Sequence, residues 1–290
     1  ANRDVVFRPS LPRASINNKE YLNELFRSRS ISPSALNNYL ECPWRYFFMS
    51  LLRVPQPMND TNMYGDAVHK TLCDTAVRLD NEGDVSAVYM LERFRYHLGH
   101  QPFPPGRYAD FLERGEQNLT AYFKEYRATW KNKVLPEFEI NGIILTDDIT
   151  LKGKLDKVEL IDDHGSVIVT DYKTGEHKSR NAIEGKTKDS DGNNKRQLVF
   201  YNLLLNRYKD GKFKMIDGVI DFVEPDANGK FHREVFAIRA DEIAELEELI
   251  KKTADDIIVA TGEAHTIRDL CEEAYSMVGL DWKKYVMVDQ

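Results

Sequence analysis

One hairpin signal constrains the fold of this chain more than any other feature of its sequence. Residues 149–161 alternate apolar and polar side chains, as a β-strand does, and the turn-forming run Asp162-Asp163-His164-Gly165 follows them. A short β-branched run, Ser166 to Thr170, comes next and has the composition of a buried strand. If the four turn residues form the loop, Ile161 faces Ser166, and this pairing fixes the register of both strands.

The same register places acidic side chains against each other. Asp156 then lies directly opposite Asp171, and Lys154 lies opposite Lys173. Because side chains alternate along a strand, Asp171 and Lys173 project together while Tyr172 points to the other face. Like charges directly opposite each other destabilise a strand pair, so this end of the hairpin needs a cation. A solvated ion pair with the lysines is the ordinary outcome, but the buried run before Asp171 favours a divalent metal, and hard oxygen ligands suit Mg²⁺ or Mn²⁺.

Helices and one strand are predicted before this hairpin, and helices and two strands after it. Helices are predicted near residues 32–42, 63–79, 108–130, 197–208 and 241–260. Further strands are predicted at residues 137–144, 215–224 and 230–238. This order favours a single α/β domain over residues 31–290, with a mixed central sheet flanked by helices. We expect an N-terminal extension at residues 1–30 and a flexible polar insertion at residues 176–196.

The composition and net charge limit the classes of partner that this protein can have. The formal net charge of −7 does not by itself favour a nucleic acid, but phosphates respond to a local basic surface rather than to the total charge. Basic residues cluster at residues 177–180 and 186–196. No apolar run reaches the length of a bilayer span and no secretory leader opens the sequence, so we expect a cytoplasmic protein with no membrane partner. The aromatic residues between Trp44 and Phe48 are expected in the core.

Several motifs in order along the chain resemble a known family. They are Gly153-Lys154-Leu155-Asp156, Asp171-Tyr172-Lys173-Thr174-Gly175 and Gln197-x-x-x-Tyr201, preceded by Ser32-x-Ser34-x-Leu36-x-x-Tyr39-x-x-Cys42-Pro43-x-x-Tyr46-Phe47 and Gly65-x-x-x-His69. Together they resemble the PD-(D/E)XK nuclease superfamily, and more narrowly the RecB/AddB-type C-terminal nuclease domains of helicase–nucleases. The resemblance covers roughly residues 31–208 and implies a restriction-endonuclease-like core.

The resemblance also implies roles for individual residues. Asp156 and Asp171 would bind the metal together with His69 and the backbone carbonyl of Tyr172, and Lys173 would orient the attacking water and stabilise charge on the phosphate. Asp156, Asp171 and Lys173 are therefore the expected catalytic residues. A further pair, Gln197 and Tyr201, shares a helix face and would contact the substrate. The match of Glu137 or Glu139 to an additional acidic residue near the centre is looser.

Relatives of the AddB kind often carry a four-cysteine iron–sulfur cluster. This chain has Cys42 at the corresponding motif, and its other cysteines are Cys73 and Cys271. Three thiolates cannot supply a four-cysteine set, so no iron–sulfur cluster is predicted.

The function implied is that of a Mg²⁺- or Mn²⁺-dependent deoxyribonuclease, an exonuclease that hydrolyses phosphodiester bonds within a helicase–nuclease of DNA repair or recombination. No GxxxxGK[ST] motif is present, so a helicase partner would lie outside this sequence, in another domain or subunit. The main alternative is a nuclease-like module that no longer cuts and serves as a DNA-binding or scaffold domain. A metal-dependent phosphatase is disfavoured because the chain has no Gly-rich phosphate loop.

Overall fold

The computed structural model describes residues 19–104 and 106–260 of the chain. Most of the extension expected at residues 1–30 therefore lies outside the described residues, as does Cys271. Arg29–Lys251 form one compact unit, and the described residues outside this range belong to a second. None of the described helices has both the length and the apolar composition that a bilayer span requires.

The described residues form helices before, between and after the strands. They are α1 (Lys19–Arg27), α2 (Pro33–Glu41), α3 (Pro43–Tyr46), α4 (Asp60–Glu82), α5 (Ala87–Gly99), α6 (Arg107–Tyr126), α7 (Arg180–Ile183), α8 (Asn193–Arg207) and α9 (Ala240–Ala260). Ser32 caps α2, since its hydroxyl accepts a hydrogen bond of 3.2 Å from the backbone N–H of Ala35. Helix α4 begins after the cap Asn59 and ends at Gly83, whose φ of 75° is in the left-handed region that glycine favours.

A mixed sheet forms the centre of the unit, as predicted. Its strands are β1 (Ser30–Ile31), β2 (Val134–Thr146), β3 (Ile149–Leu160), β4 (Ser166–Lys173), β5 (Lys214–Phe222) and β6 (His232–Phe236). Their order is β1-β3-β4-β5-β6, and β2 pairs with β3. The pairs β2/β3, β3/β4 and β5/β6 are antiparallel, whereas β4/β5 is parallel. A parallel neighbour requires a crossover, and α7 and α8 provide it.

Helices cover both faces of this sheet. Tyr172 belongs to a buried cluster with side chains of α4, α5 and α6, including Tyr64, Phe94 and Tyr122. Its neighbour Asp171 instead contacts α8. Successive side chains of a strand point to opposite faces, so α8 lies on the face away from the α4–α6 cluster. The face that Asp171 shares with α8 also carries Lys173, which hydrogen-bonds to Gln197 of α8.

The predicted elements correspond to observed ones, with some differences. Helix α5 was not predicted, although Ser86 caps it and Met90, Phe94 and Leu98 recur along its buried side. Within the polar segment 176–196, α7 is helical and α8 begins near its end. The expectation that the aromatic residues from Trp44 to Phe48 lie in the core is wrong in part: Tyr46 is buried, but Trp44 is 60% exposed and Phe48 is 43% exposed.

Candidate active site

The hairpin between β3 and β4 has the predicted register along its ladder. Lys157 pairs with Thr170 and Leu160 with Val167, and the turn is fixed by Asp162, whose carboxylate accepts hydrogen bonds from the backbone N–H groups of His164 and Ser166. The pairing between β3 and β4 stops at Lys157 and Thr170. The direct pairing expected for Asp156 with Asp171, and for Lys154 with Lys173, is therefore not formed.

A side-chain contact replaces the ladder at this point. The backbone N–H of Tyr172 donates a hydrogen bond of 2.8 Å to Oδ2 of Asp156. The N–H is thereby satisfied by a carboxylate rather than by a carbonyl of the facing strand, and the two strands separate. Lys154 instead pairs in register with Glu139 of β2. Asp156 therefore contacts β4 through its side chain and not through the backbone ladder.

Asp171 is the most buried acidic group of the site. It is only 1% exposed, because the strand that carries it packs between the helical layers. Its Oδ1 accepts a hydrogen bond of 3.3 Å from the hydroxyl of Tyr201. Its Oδ2 is buried without a hydrogen bond of acceptable geometry, although Nζ of Lys173 lies 2.7 Å away. Burial raises the pKa of Asp171, and the charge of Lys173 opposes that rise.

Lys173 is held between β4 and α8. Besides its ion pair with Asp171, its ammonium donates a hydrogen bond of 3.0 Å to Oε1 of Gln197. Burial would lower the pKa of Lys173, but the neighbouring carboxylate of Asp171 raises it overall. The side chain therefore carries its positive charge at neutral pH, in the position that the sequence predicted for it, beside Asp171.

Gln197 and Tyr201 lie one helical turn apart on α8 and contact each other. The amide of Gln197 donates a hydrogen bond of 2.6 Å to the hydroxyl oxygen of Tyr201, and this hydroxyl also lies 3.1 Å from the backbone oxygen of Lys154. Burial, followed by the charge of Asp171, raises the pKa of Tyr201 well above its usual value, so the phenol stays protonated. These residues, predicted to bind substrate, also hold Asp171 and Lys173 in place.

Asp156 also belongs to a group of possible metal ligands, together with residues of α4 and β2. His69 of α4, Glu137 of β2 and Asp156 of β3 each offer one atom, and these atoms all lie within 4.8 Å of one another. Nδ1 of His69 is 3.4 Å from Oδ2 of Asp156. The set contains one imidazole and two carboxylates, which is a donor set that holds divalent cations such as Mn²⁺ and Mg²⁺.

Glu137 is the member of this group that the sequence pointed to only loosely. Its neighbours Pro136 and Phe138 pair with Lys157 and Leu155, so Glu137 occupies the register position opposite Asp156. Its φ of 51° is in the left-handed region, which costs a non-glycine residue about 1 kcal/mol or more. Its carboxylate forms an ion pair with Lys154. The alternation of β2 against β3 was the signal that could have identified it.

The residues present fit a divalent cation. The carboxylate of Asp171 is buried, and the ligand atoms of His69, Glu137 and Asp156 lie within 4.8 Å of one another. Burying carboxylates is costly unless cations offset their charge, and a divalent cation bound by these ligand atoms would do so.

Comparisons with known proteins give a family match and similar solved structures. Residues 30–273 match the family model of the PD-(D/E)XK nuclease superfamily. Among solved structures, a "putative exonuclease" from Eubacterium rectale is 10% identical, with 94% of this chain and 92% of that chain covered and a TM-score of 0.48. Another, described as SSO0001, is 16% identical, with 89% of this chain and 94% of that chain covered and a TM-score of 0.29. The family match spans well over half of the sequence and includes every residue of the site described above, so this chain belongs to the PD-(D/E)XK nuclease superfamily.

Proposed function

We propose that this protein is a metal-dependent deoxyribonuclease that hydrolyses phosphodiester bonds as an exonuclease, with Mg²⁺ or Mn²⁺ as its cofactor. The observation that carries the proposal is the buried carboxylate of Asp171, whose Oδ2 forms an ion pair of 2.7 Å with the ammonium of Lys173. A buried carboxylate beside a lysine, next to a further group of ligand atoms, is an arrangement suited to phosphoryl chemistry rather than to stability.

The residues that would hold the metal are Asp156 and Asp171, with His69 and the backbone carbonyl of Tyr172. Glu137 joins them on the side of His69. When bound, the cation supplies Lewis acidity, because it lowers the pKa of water and neutralises charge on the phosphate. In the reaction, water adds to phosphorus, the bond from phosphorus to the leaving oxygen breaks, and the leaving oxygen takes up a proton.

Lys173 acts on the phosphate itself. Its ammonium is fixed by Asp171 on one side and by Gln197 on the other, so it need not reorganise as negative charge grows on the non-bridging oxygens. Tyr201 donates to Asp171 and thereby fixes the orientation of this carboxylate. Gln197 and Tyr201 also line the groove beside the site, where they would contact the substrate.

The wider setting follows from the resemblance of the motifs. We propose a RecB/AddB-type domain that works with a helicase domain or subunit in DNA repair or recombination, in the cytoplasm, and that binds no iron–sulfur cluster. The family match supports the nuclease part of this proposal. The helicase partner rests on the order of the motifs alone.

The test compares wild type with Asp171→Ala on linear and circular DNA, each with Mg²⁺, with Mn²⁺ and with a chelator. We expect degradation of linear DNA only with metal, and a loss of roughly 100-fold or more in Asp171→Ala. Asp147→Ala, in the exposed β2–β3 turn, is the matched control and should match wild type. Equal activity of Asp171→Ala and wild type would contradict the proposed mechanism. Cleavage of neither DNA by wild type would favour the non-cutting module, and cutting of circular DNA would show an endonuclease.

A further inference from the structure

A groove of about 490 Å³ opens beside the candidate active site. Asp156, Gln197 and Tyr201 line it where it meets the site, and its other lining residues include Asn37, Asn141 and Lys152. This volume lies within the range of roughly 300–1,000 Å³ that is usual for pockets holding small molecules. The groove therefore has room for more of a substrate than the reacting phosphate.

Lys152 is the cation of this groove that has no carboxylate partner among the described residues. Lys154, also in the lining, is in contrast bound to Glu137. Lys152 and Asp156 are four residues apart on β3, so their Cα atoms are roughly 13 Å apart. The side chain of Lys152 therefore starts well away from Asp156 along the strand, where its ammonium would meet a different phosphate from the one held at Asp156.

Asn37 presents a hydrogen-bond donor to the same groove. The guanidinium of Arg196 on α8 donates a hydrogen bond of 2.7 Å to Oδ1 of Asn37. This contact fixes which end of the carboxamide is the oxygen, and it leaves the NH₂ group of Asn37 available for an acceptor. Asn141 is a further carboxamide in the lining, and it is exposed at the end of the β2 stretch that pairs with Gly153.

We propose that Lys152, Asn37 and Asn141 form a subsite for a non-scissile phosphate of the bound nucleic-acid strand. The proposal rests on the proposed nuclease function. An ammonium and carboxamide donors suit phosphate oxygens, and contacts of this kind set the register of the strand without reading its sequence. Glu139 also lines the groove, and its charge opposes a phosphate, so we expect Glu139→Gln to tighten binding.

The test measures binding without cleavage. A fluorescein-labelled single-stranded oligodeoxynucleotide is titrated with protein in EDTA, and anisotropy gives the affinity between about 50 and 200 mM salt. Lys152→Gln should weaken binding roughly tenfold and reduce the slope of log affinity against log salt by about 0.7. Asn37→Asp keeps the acceptor for Arg196 and so keeps the fold, but it removes the donors and should also weaken binding. Lys124→Gln, an exposed lysine of α6, is the matched control and should change neither quantity.

Cleavage measurements separate this inference from the function on which it rests. With Mg²⁺ present, Lys152→Gln should raise KM while kcat stays close to the wild-type value, because the residue contacts a phosphate that does not react. If wild type cleaves DNA but Lys152→Gln has the affinity and salt slope of Lys124→Gln, the subsite is wrong and the nuclease function stands. If wild type binds no strand and cleaves none, the proposed function fails and the subsite fails with it.

Discussion

The backbone N–H of Tyr172 donates a hydrogen bond of 2.8 Å to Oδ2 of Asp156. Tyr172 stands between Asp171 and Lys173, so one hydrogen bond ties the strand that carries those residues to the other acidic residue of the site. The side chain of Tyr172 packs in the cluster of α4–α6 on the far face of the sheet. The position of Asp156 is therefore coupled to the hydrophobic core through a single residue.

This contact predicts different stabilities for two variants of Asp156. Asp156→Asn retains a carbonyl oxygen that can accept from the N–H of Tyr172, whereas Asp156→Ala leaves that N–H without its partner. We expect the free energy of unfolding of the alanine variant to be lower than that of the asparagine variant by about 1–3 kcal/mol. Urea denaturation of the metal-free proteins measures it. Equal values would mean that the hydrogen bond contributes nothing to stability.

Substitution of Lys173 should give a protein that binds metal but cleaves DNA slowly. In Lys173→Met the charge that we propose acts on the phosphate is lost, and we expect kcat to fall roughly 100-fold. The affinity for Mn²⁺ should stay the same or rise, because a cation 2.7 Å from Asp171 has been removed. Calorimetric titration with Mn²⁺ and single-turnover cleavage measure the two effects separately. A large loss of Mn²⁺ affinity would assign Lys173 to the structure of the metal site instead of to the reaction.

We expect substitution of Glu137, but not of Glu139, to lower the affinity for metal. Glu137→Gln removes one of the charges that meet at His69 and Asp156, and we expect Mn²⁺ to bind about tenfold or more weakly, since the loss of even indirect partners costs 10–100-fold. Glu139→Gln, two residues along the same strand and outside this group, is the matched control and should bind Mn²⁺ as wild type does. Identical Mn²⁺ affinities for the two variants would exclude Glu137 from the site.

The sequence was sufficient to predict the register of the central hairpin. Asp162 and Gly165 define a short turn, and a turn of fixed length determines which residues pair beyond it. The observed pairs from Lys157 with Thr170 to Leu160 with Val167 follow that rule. The rule fails at Asp156, because a side chain there takes the backbone N–H of Tyr172, and periodicity carries no information on such contacts.

Long-range contacts explain the other differences between prediction and structure. Glu137 reaches the site only because β2 pairs with β3 over residues that are distant in sequence. The role of Gln197 and Tyr201 in holding Lys173 and Asp171 depends on how α8 packs on the sheet. His69, in contrast, was placed near Asp156 by the resemblance of motifs, and helical spacing within α4 alone would not have singled it out.

Substitution of Gly115 should lower the stability of the fold without involving the candidate active site. A Cβ at this position of α6 would lie 2.0 Å from Cζ of Phe94, a ring that is fully buried. Alanine has the better helix propensity by about 1 kcal/mol, but overpacking a buried ring costs about 1–3 kcal/mol or more. We expect Gly115→Ala to unfold at lower urea concentration than wild type.

Gly99→Ala is the matched control for this prediction. The nearest atom to a Cβ there is the hydroxyl of Tyr108 at 3.9 Å, so alanine fits, and the free energy of unfolding should stay the same or rise by up to about 1 kcal/mol through helix propensity. A Gly115→Ala variant as stable as Gly99→Ala would show that α5 and α6 can move apart at this contact.

If His69 is a metal ligand, we expect the affinity for metal to rise with pH. Burial would lower the pKa of His69, but its hydrogen bond with Asp156 and the charges of Asp156 and Asp171 raise it overall. A protonated imidazole cannot bind a cation, so metal binding must displace the proton. The affinity for Mn²⁺ should therefore increase as the pH rises through the pKa of His69, which lies above the usual value of about 6.5.

The stability of the metal-free protein should change in the opposite direction. Because the folded-state pKa of His69 is raised, its contribution to stability is fully present below the unfolded-state pKa and is lost as the pH rises through the folded-state pKa. Calorimetric titration with Mn²⁺ at several pH values, for wild type and for His69→Asn, checks the first effect, and urea denaturation without metal checks the second. Asp171 titrates in both proteins, so the difference between them isolates His69. If wild type and His69→Asn show the same pH dependence of Mn²⁺ affinity, the imidazole is not a ligand, and the cation is held by carboxylates and the backbone alone.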